Sequence, residues 1–353
     1  MRALVTGASG LIGAHIACAL ANAGHEVRAL VRPSSCRNSL ADVKVTWSIA
    51  DLLHAGEALD TACAGCDVVF HTAAHFAYGG ISREEMHNTA VMGTEAVLRA
   101  CARTAVPRVV ITSSSVVFGF NHDATLVSEG KLPTPGNDDP PYVMAKQAQH
   151  RRALELARQL KLDVRLACPT MTLGPTSSRL GPSNGAIVAY LADPVRCTYP
   201  GGCNLVSARD VAIGHLQIAE YGASGNSYLL GSQNLTWRDV HTMIAELAGI
   251  APPRIELNHT LGFLAATGEE IRAAIFGHAP LSTRQQATMI GRYYWYSHAK
   301  AATLGYAPCS ARDALIETLS WLVGSPHISR EIRAGLRLAD DIYRFRSASL
   351  RQS

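Results

Sequence analysis

The chain has 353 residues, of which 48% are hydrophobic and 17% charged, and its net charge is +4. This length accommodates one large domain and a smaller lobe, and the composition is typical of a soluble globular protein. The small and dispersed charge indicates no nucleic-acid partner, and the absence of an apolar run of roughly 18 residues predicts that no segment spans a membrane.

The first residues pass directly into a predicted strand, without the longer apolar segment of a secretory signal. We therefore expect a cytoplasmic protein, in which the nine scattered cysteines stay reduced. Cys63 and Cys66 have CxxC spacing, but no second pair stands at zinc-binding spacing, so they indicate a turn. No HExxH pattern or Cys/His cluster predicts a metal site.

Short β-branched runs alternate with helical stretches through the first half of the chain. Strands are predicted over residues 3–6, 26–31, 44–48, 68–72, 108–113 and 164–168. Helices are predicted over residues 12–23, 83–104 and 145–160. This alternation predicts an α/β fold with a mostly parallel, doubly wound sheet of the Rossmann type, covered by helices on both faces.

The pattern changes after Pro169. Residues 173–185 are rich in Gly, Pro and Ser and predict a loop, and residues 205–211 predict a strand that enters a helix. We expect a cofactor-binding domain over 1–168 with about 205–231, a mostly helical substrate lobe over 169–204 and 232–324, and a helical tail over 325–353. In that tail apolar residues recur at helical spacing, at Ile332, Leu336, Leu338, Ile342 and Tyr343.

A glycine loop follows the first predicted strand and opens the first helix. Its sequence is Gly7-Ala8-Ser9-Gly10-Leu11-Ile12-Gly13. Without side chains at the glycines, the backbone can approach two phosphates, and the helix N-terminus supplies unpaired N–H groups. The loop predicts a dinucleotide site whose contacts come from Gly7, Ser9, Gly10, Leu11, Ile12 and Gly13.

The end of the second strand distinguishes the two nicotinamide cofactors. NAD-binding proteins usually carry an acid there for the ribose hydroxyls, but this chain has Arg32. A guanidinium suits a 2′-phosphate, so we predict NADP(H). Later strand ends are expected to contribute Asp51, Leu52, Thr72, Ala73, Ala74, Thr112, Pro169, Thr170 and Met171.

The pair Tyr142 and Lys146 predicts proton transfer to a carbonyl oxygen. Free tyrosine is too weak an acid for this task near neutral pH, and an ammonium one helical turn away favours its phenolate. Lys146 and Tyr142 are also expected to contact the cofactor. Ser114 is placed to hold the carbonyl oxygen, with Ser113 and Ser115 as alternatives.

Several segments together resemble the extended short-chain dehydrogenase/reductase family over roughly residues 1–325. The segments are TGASGLIG (6–13), ADL (50–52), FHTAA (70–74), NTAVMGTEAVL (88–98), ITSSSVVFG (111–119), YVMAK (142–146), CPTMTLGP (168–175) and ARDVA (208–212). The resemblance implies a catalytic set of Ser114, Tyr142 and Lys146. It also implies a homodimer through the helices near 83–104 and 145–160.

Within that family the segment CPTMTLGP resembles dihydroflavonol 4-reductase-like and cinnamoyl-CoA reductase-like proteins, as does LVRPSS (30–35). Nucleotide-sugar epimerases commonly have asparagine near the start of the first segment, where this chain has Cys168. Bacterial proteins described as hopanoid-associated sugar epimerases are also similar along much of the chain. The resemblance therefore leaves the substrate open.

The expected substrate is a small apolar, aromatic or acyl ketone or aldehyde, reduced with NADP(H). Residues expected to face it are His75, Phe76, Tyr78, Ser114, Phe118, Met144 and Leu173, together with Met171. Their mostly apolar character suits such a ligand. The alternatives are a nucleotide-sugar epimerase or dehydratase with tightly bound NAD, and a non-catalytic NADP-binding sensor.

Overall fold

The computed structural model describes residues 1–54, 56–73, 82–134, 136, 139–176, 180–277, 280 and 282–349. The strands are β1 (Arg2–Thr6), β2 (Glu26–Val31), β3 (Thr46–Ile49), β4 (Val68–His71), β5 (Val109–Thr112), β6 (Val164–Pro169), β7 (Met171–Leu173), β8 (Cys197–Thr198), β9 (Gly202–Ser207), β10 (Ser227–Leu230), β11 (Gln233–Thr236) and β12 (Ile255–Glu256). The α-helices are α1 (Leu11–Asn22), α2 (Glu57–Cys63), α3 (Arg83–Arg103), α4 (Pro141–Leu160), α5 (Pro182–Ala192), α6 (Ala208–Tyr221), α7 (Trp237–Ala248), α8 (His259–Phe276), α9 (Arg284–Ala287), α10 (Ala299–Ala302), α11 (Ala311–Gly324), α12 (Arg330–Gly335) and α13 (Asp340–Ser349).

A seven-stranded parallel sheet forms the centre of the fold, in the order β10-β6-β5-β4-β1-β2-β3. Consecutive apolar residues in β5 serve both of its faces. Val109 and Ile111 belong to one buried cluster, and Val110 belongs to the cluster on the opposite face. Strands covered on both faces need such runs, and the predicted Rossmann-type sheet is confirmed.

The strand order fixes where a ligand can enter. The chain moves outward from β1 through β2 to β3, then returns to β4 on the other side of β1. The helices that follow β1 and β4 therefore diverge, and a crevice opens at the carboxyl ends of these two strands. The glycine loop follows β1 and lies in this crevice.

A separate group of elements covers that edge of the sheet. A three-stranded sheet has the order β11-β9-β7, and β8 pairs with β12. A third buried cluster joins α5, α7 and α11, and Ile342 of α13 is fully buried within it. In the described part of the chain, no helix is both long and apolar enough to cross a bilayer.

Three segments differ from the sequence-based expectation. The predicted loop 173–185 is too long, because α5 already begins at Pro182, and proline at the first helical position needs no N–H partner. One strand of the central seven-stranded sheet, β10, has no counterpart among the predicted strands. The tail forms two helices, α12 and α13, rather than one continuous face, and Tyr343 in α13 is exposed.

Candidate active site

The glycine loop between β1 and α1 lies in the wall of a large cavity. Gly7 has a φ of +67°, and a Cβ atom there would lie 2.7 Å from the Cα of Ala73. A Cβ atom on Gly13 would overlap the carbonyl oxygen of Gly7. Glycine is therefore required at both positions, and the backbone at the start of α1 stays accessible to an anion. This cradle fits the pyrophosphate of a dinucleotide.

The remaining strand ends continue the cavity wall. Arg32 follows β2, and Asp51 follows β3, where its carboxylate accepts a hydrogen bond from the N–H of Leu53 at 3.0 Å. The Thr72 hydroxyl donates to the carbonyl of Thr6 at 2.7 Å and ties the end of β4 to β1. Ala74 lies outside the described residues. The other residues expected at the cofactor all line this one cavity, namely Gly7, Ser9, Gly10, Leu11, Ile12, Gly13, Arg32, Asp51, Leu52, Thr72, Ala73, Thr112, Tyr142, Lys146, Pro169, Thr170 and Met171.

Tyr142 and Lys146 lie one turn apart on α4, and Ser114 precedes a short 3-10 helix after β5. All three side chains are buried and line the cavity, and the Ser114 side chain is hydrogen-bonded to that of Tyr142. Burial raises the pKa of Tyr142 to about 12 and lowers the pKa of Lys146 to about 8. The phenol is thus protonated near neutral pH, beside an ammonium that is easily deprotonated.

The Lys146 ammonium is held from the side of α4 that faces the sheet. Its Nζ donates to the backbone carbonyl of Thr112 at 3.1 Å and to the side-chain oxygen of Gln149 at 2.9 Å. Thr112 is the last residue of β5, so one hydrogen bond ties the lysine to the sheet and the other ties it to its own helix. The ammonium is therefore fixed at the cavity wall.

The three consecutive serines have different surroundings. The Ser113 hydroxyl is hydrogen-bonded to Nδ1 of His150 at 2.8 Å, and Nε2 of the same ring bonds Ser227 at 3.1 Å. Ser115 begins the 3-10 helix and is buried. All three line the cavity, but only for Ser114 does the structure show a hydrogen bond to Tyr142 among the described residues. This arrangement favours Ser114 over Ser113.

The cavity has a volume of about 1480 Å³ and extends from the glycine loop to the lobe. This exceeds the roughly 300–1,000 Å³ of a site for a drug-sized ligand, as a site for a dinucleotide plus a substrate should. Its distal wall comes from α5, α7, α8 and the segment that includes α9. Representative residues there are Ala186, Ala189, Tyr190, Tyr199, Trp237, His241, Leu257, Ala266, Gln286 and Ile290. Within the described chain, no group of His, Cys, Asp or Glu has the arrangement of a metal site.

Four neighbouring rings dominate part of this distal wall. Tyr190 and His241 stack with their ring centroids 4.3 Å apart and an interplanar angle of 2°. Tyr199 meets His241 edge-on at 5.4 Å and Trp237 at 5.3 Å. Burial lowers the pKa of His241 to about 4, so its ring is neutral at physiological pH. The distal wall therefore presents a largely apolar surface.

The structure separates the residues expected at the substrate. His75, Phe76 and Tyr78 lie outside the described residues. Ser114 and Met171 line the cavity. Phe118, Met144 and Leu173 are not among the described lining residues, because Phe118 packs against His150 and Leu173 is fully buried in the lobe core.

Cys168 also lies away from the cavity wall. It is fully buried in β6, and burial raises the pKa of its thiol to about 12. An amide that does line the cavity is Asn204. Its oxygen accepts from Thr170 at 2.8 Å and from the N–H of Ser232 at 2.9 Å, and its nitrogen donates to Asn234 at 2.8 Å. This amide is committed to the protein interior.

A nucleotide sugar carries a diphosphate that needs cations, and Arg196 and Arg209 already have partners within the protein. Arg196 donates to the backbone carbonyls of Tyr190, Leu191 and Asp193 at 2.6–3.2 Å. Arg209 forms an ion pair with Glu317 at 2.7 Å. A further arginine between β7 and α5, Arg179, lies outside the described residues.

Sequence reasoning missed the residues that surround Lys146 and the distal cavity. Gln149 had a usable signal, because it stands three residues after Lys146 on a helix and so lies on the same face. Trp237 and His241 stand one turn apart on α7 and so share a face of that helix. Tyr190 comes from α5, and only the packing of the lobe brings it onto His241.

The chain is similar to known proteins over most of its length. The sequence model of the NAD dependent epimerase/dehydratase family matches residues 3–231. A protein from Synechocystis sp., named provisionally as a dihydroflavonol 4-reductase, is 27% identical over 332 residues, covering 93% of this chain and 96% of that protein. Cinnamoyl-CoA reductase 2 from Arabidopsis thaliana is 32% identical over 257 residues, covering 69% of this chain and 76% of the reductase.

Solved structures share the fold over nearly the whole chain. One is described as a nucleoside-diphosphate-sugar epimerase from Pseudomonas aeruginosa. It superposes with a TM-score of 0.74 at 25% identity, covering 93% of this chain and 99% of the epimerase. Reductases and epimerases are thus both represented among the similar proteins.

Proposed function

The chain belongs to the NAD dependent epimerase/dehydratase family, and we propose that within it the protein is an NADP(H)-dependent reductase of an apolar ketone or aldehyde. Arg32 at the end of β2 is the observation that carries the cofactor assignment. The relatives named as reductases of a dihydroflavonol and of cinnamoyl-CoA support the reaction type. Family and relatives make the protein an NAD(P)-dependent enzyme, and the choice of NADP(H) is our proposal.

The residues present fit a dinucleotide, because Gly7 and Gly13 allow a tight loop that leaves the backbone at the start of α1 in the cavity wall, where its N–H groups can receive phosphates. When bound, NADPH supplies the hydride that adds to the carbonyl carbon. Ser114 donates a hydrogen bond to the carbonyl oxygen, and Tyr142 transfers its phenolic proton to that oxygen. Lys146 holds the nicotinamide ribose, and its charge favours the phenolate that remains.

The distal cavity supports an apolar and uncharged substrate. Rings form part of its wall, and the charged groups there already have partners. The Asp193 carboxylate accepts from the N–H groups of Val195 at 2.8 Å and Cys197 at 2.6 Å. Arg272 pairs with Glu269 at 2.8 Å. A diphosphate would have to break such pairs, whereas an aromatic or acyl group would not.

A nucleotide-sugar epimerase or dehydratase is the second candidate, supported by the structural similarity to the Pseudomonas aeruginosa epimerase. Two measurements separate it from the reductase. An epimerase of this kind should retain NAD through purification and be stabilised by micromolar UDP-, GDP- or TDP-sugars in a thermal-shift assay. A ligand at about 100 times its dissociation constant stabilises by roughly 2.7 kcal/mol, which such an assay detects.

The direct test is NADPH oxidation with aromatic aldehydes, flavanonols, β-keto acyl compounds and steroid ketones. We expect turnover with at least one class, and tighter binding of NADP(H) than of NAD(H) by calorimetry. Equal or tighter binding of NAD would contradict the cofactor assignment. A non-catalytic sensor would bind NADPH and oxidise it with no substrate of the panel.

We also propose a homodimer that uses the outer faces of α3 and α4. The two helices pack side by side, and Arg152 of α4 pairs with Glu95 of α3 at 3.0 Å, so they present one joint surface. Met92 of α3 is exposed, at 57% of its full accessible area. Light scattering should give twice the monomer mass of 37.7 kDa, and a Met92→Glu variant should lower it.

A further inference from the structure

A buried chain of hydrogen bonds leads from Lys146 through α3 to the central sheet. Gln149 accepts from Lys146 at 2.9 Å and donates through Nε2 to the Thr94 hydroxyl at 2.8 Å. The Thr94 hydroxyl is also bonded to Nε2 of His71 at 3.0 Å, and Nδ1 of that ring is bonded to the Thr6 hydroxyl at 2.8 Å. The chain thus links α4 and α3 to β4 and β1.

Each member of this chain is cut off from solvent. Thr6 and Thr94 are 0% exposed, and His71 and Gln149 are 1% exposed. Buried polar groups are costly without partners, and here each has one. Because no water competes for these groups, each side chain keeps its hydrogen-bond partner within the chain.

The polarity of the chain fixes the orientation of the Gln149 amide. An ammonium can only donate, so the side-chain oxygen of Gln149 must face Lys146 and its nitrogen must face Thr94. Rotating the amide would place two donors against each other at Lys146. Burial and the nearby Lys146 charge lower the pKa of His71 to about 3, so this ring stays neutral and can accept at one nitrogen.

We propose that Gln149 is a positioning residue that holds the Lys146 ammonium in its charged form and aims it at the nicotinamide ribose, with Thr94 and His71 locking the Gln149 amide. This inference rests on the proposed function, since it assigns Lys146 to the cofactor. It adds a side chain of α4, bonded to Thr94 of α3, that does not line the described cavity wall.

The charge on Lys146 depends on neutral acceptors. The titratable groups that face it are Tyr142 and His150 on α4, His71 on β4 and Cys168 on β6. Burial keeps these groups uncharged at neutral pH, so none offers the ammonium an anion. The carbonyl of Thr112 and the amide oxygen of Gln149 remain its described acceptors.

The chain offers a matched control two residues earlier on the same helix. Gln147 is equally buried, at 1% exposure, but its amide nitrogen donates to the carbonyl of Val117 at 3.3 Å rather than contacting Lys146. A Gln147→Leu variant therefore reports the effect of losing a buried glutamine from α4 without touching the lysine.

The experiment measures the dissociation constant of NADPH from pH 6 to pH 10 by fluorescence, for the wild-type protein and for Gln149→Leu, Gln149→Glu and Gln147→Leu. Binding should weaken as Lys146 loses its proton, with a midpoint near its pKa of about 8. Gln149→Leu should lower that midpoint by about one pH unit, since a hydrogen bond to a charged group has that size. Gln149→Glu should raise it, because a carboxylate stabilises the ammonium.

The two shifts must have opposite signs, and Gln147→Leu must leave the midpoint in place. Equal midpoints in all four proteins would overturn the proposal, even if the variants at Gln149 and Gln147 unfold at lower temperatures than the wild type. Should Gln149→Leu fail to fold, Thr94→Val tests the same link and should lower the midpoint by a smaller amount. A Lys146→Met protein that binds NADPH like wild type would instead refute the site assignment itself.

Discussion

The two ends of the cavity are built from different materials. At the cofactor end the wall is backbone, and a Cβ atom on Gly7 would come within 2.7 Å of the Cα of Ala73. At the distal end the wall is side chains, with the rings of Tyr190, Tyr199 and His241 packed on one another. A backbone wall can be altered only by moving a strand or a helix, whereas a wall of side chains can be altered one residue at a time.

This difference teaches where the protein can change its chemistry. Substitutions at the cofactor end should disturb binding or folding as a whole. Substitutions at the distal end should alter which substrates fit and leave the cofactor unaffected. The proposed catalytic residues, Ser114, Tyr142 and Lys146, line the cavity between the two ends, and there the loss of one side-chain atom should be enough to stop turnover.

Tyr142→Phe should reduce turnover more than any other substitution, because it removes the phenolic proton that is transferred to the carbonyl oxygen. General acid catalysis contributes about 10²–10⁴-fold to rate, so kcat should fall by that factor. NADPH affinity by calorimetry should stay close to wild type, since the substitution removes only the hydroxyl and keeps the buried ring in place. Near-normal turnover would place the active site elsewhere.

Gly7→Ala should have the next largest effect, on stability and on NADPH binding, and Gly24→Ala is its control. Both glycines have left-handed backbone, with φ values of +67° and +78°. A Cβ atom at Gly24 meets no atom within 4 Å, whereas at Gly7 it meets the backbone of Ala73. Both variants should be destabilised by about 1 kcal/mol or more of backbone strain. Only Gly7→Ala should also weaken NADPH binding, and equal NADPH affinities in the two variants would show that the cradle is not the cofactor site.

The same difference explains what could be predicted from the sequence. Sites built from backbone have local sequence patterns, so the glycine loop and the strand ends could be predicted. The pairing of Tyr142 with Lys146, one helical turn away, could be predicted for the same reason. The parallel sheet followed from the alternation of strands and helices. The strand β10 was missed, because Ser227–Leu230 is only four residues long and contains none of the β-branched residues that mark the other strands of the sheet.

The distal end could not be predicted, because its residues come from several separate elements and only Trp237 and His241 are neighbours on one helix. Phe118, Met144 and Leu173 were expected there from their apolar character, but such residues also fill cores, and Leu173 does so. The rings that do line the cavity come from α5, α7 and the residues before β9. Only tertiary packing decides which apolar side chains face a ligand.

Arg32→Asp tests the side chain that we propose decides between NADP(H) and NAD(H). The substitution removes a cation from the end of β2 and supplies the acid that binds ribose hydroxyls. Hydrogen bonds to charged groups contribute roughly 1.5–3 kcal/mol, so NADPH should bind about ten- to a hundredfold more weakly. NADH should bind more tightly than to wild type. Unchanged affinities for both, by calorimetry, would place the 2′-phosphate away from Arg32.

Ala189→Phe should have the smallest effect, and only on large substrates. Ala189 lies on α5 and lines the cavity beside the stacked rings of Tyr190 and His241. A phenyl group there occupies distal space without touching the glycine loop, Tyr142 or Lys146. For the largest carbonyl compound that wild type reduces, kcat/KM should fall about tenfold, the effect of losing one to two kcal/mol of binding in an apolar pocket. For the smallest compound of the same class, kcat/KM and the NADPH dissociation constant should match wild type. A uniform loss with both compounds would mean that the distal wall supports the fold of the lobe rather than selecting the substrate.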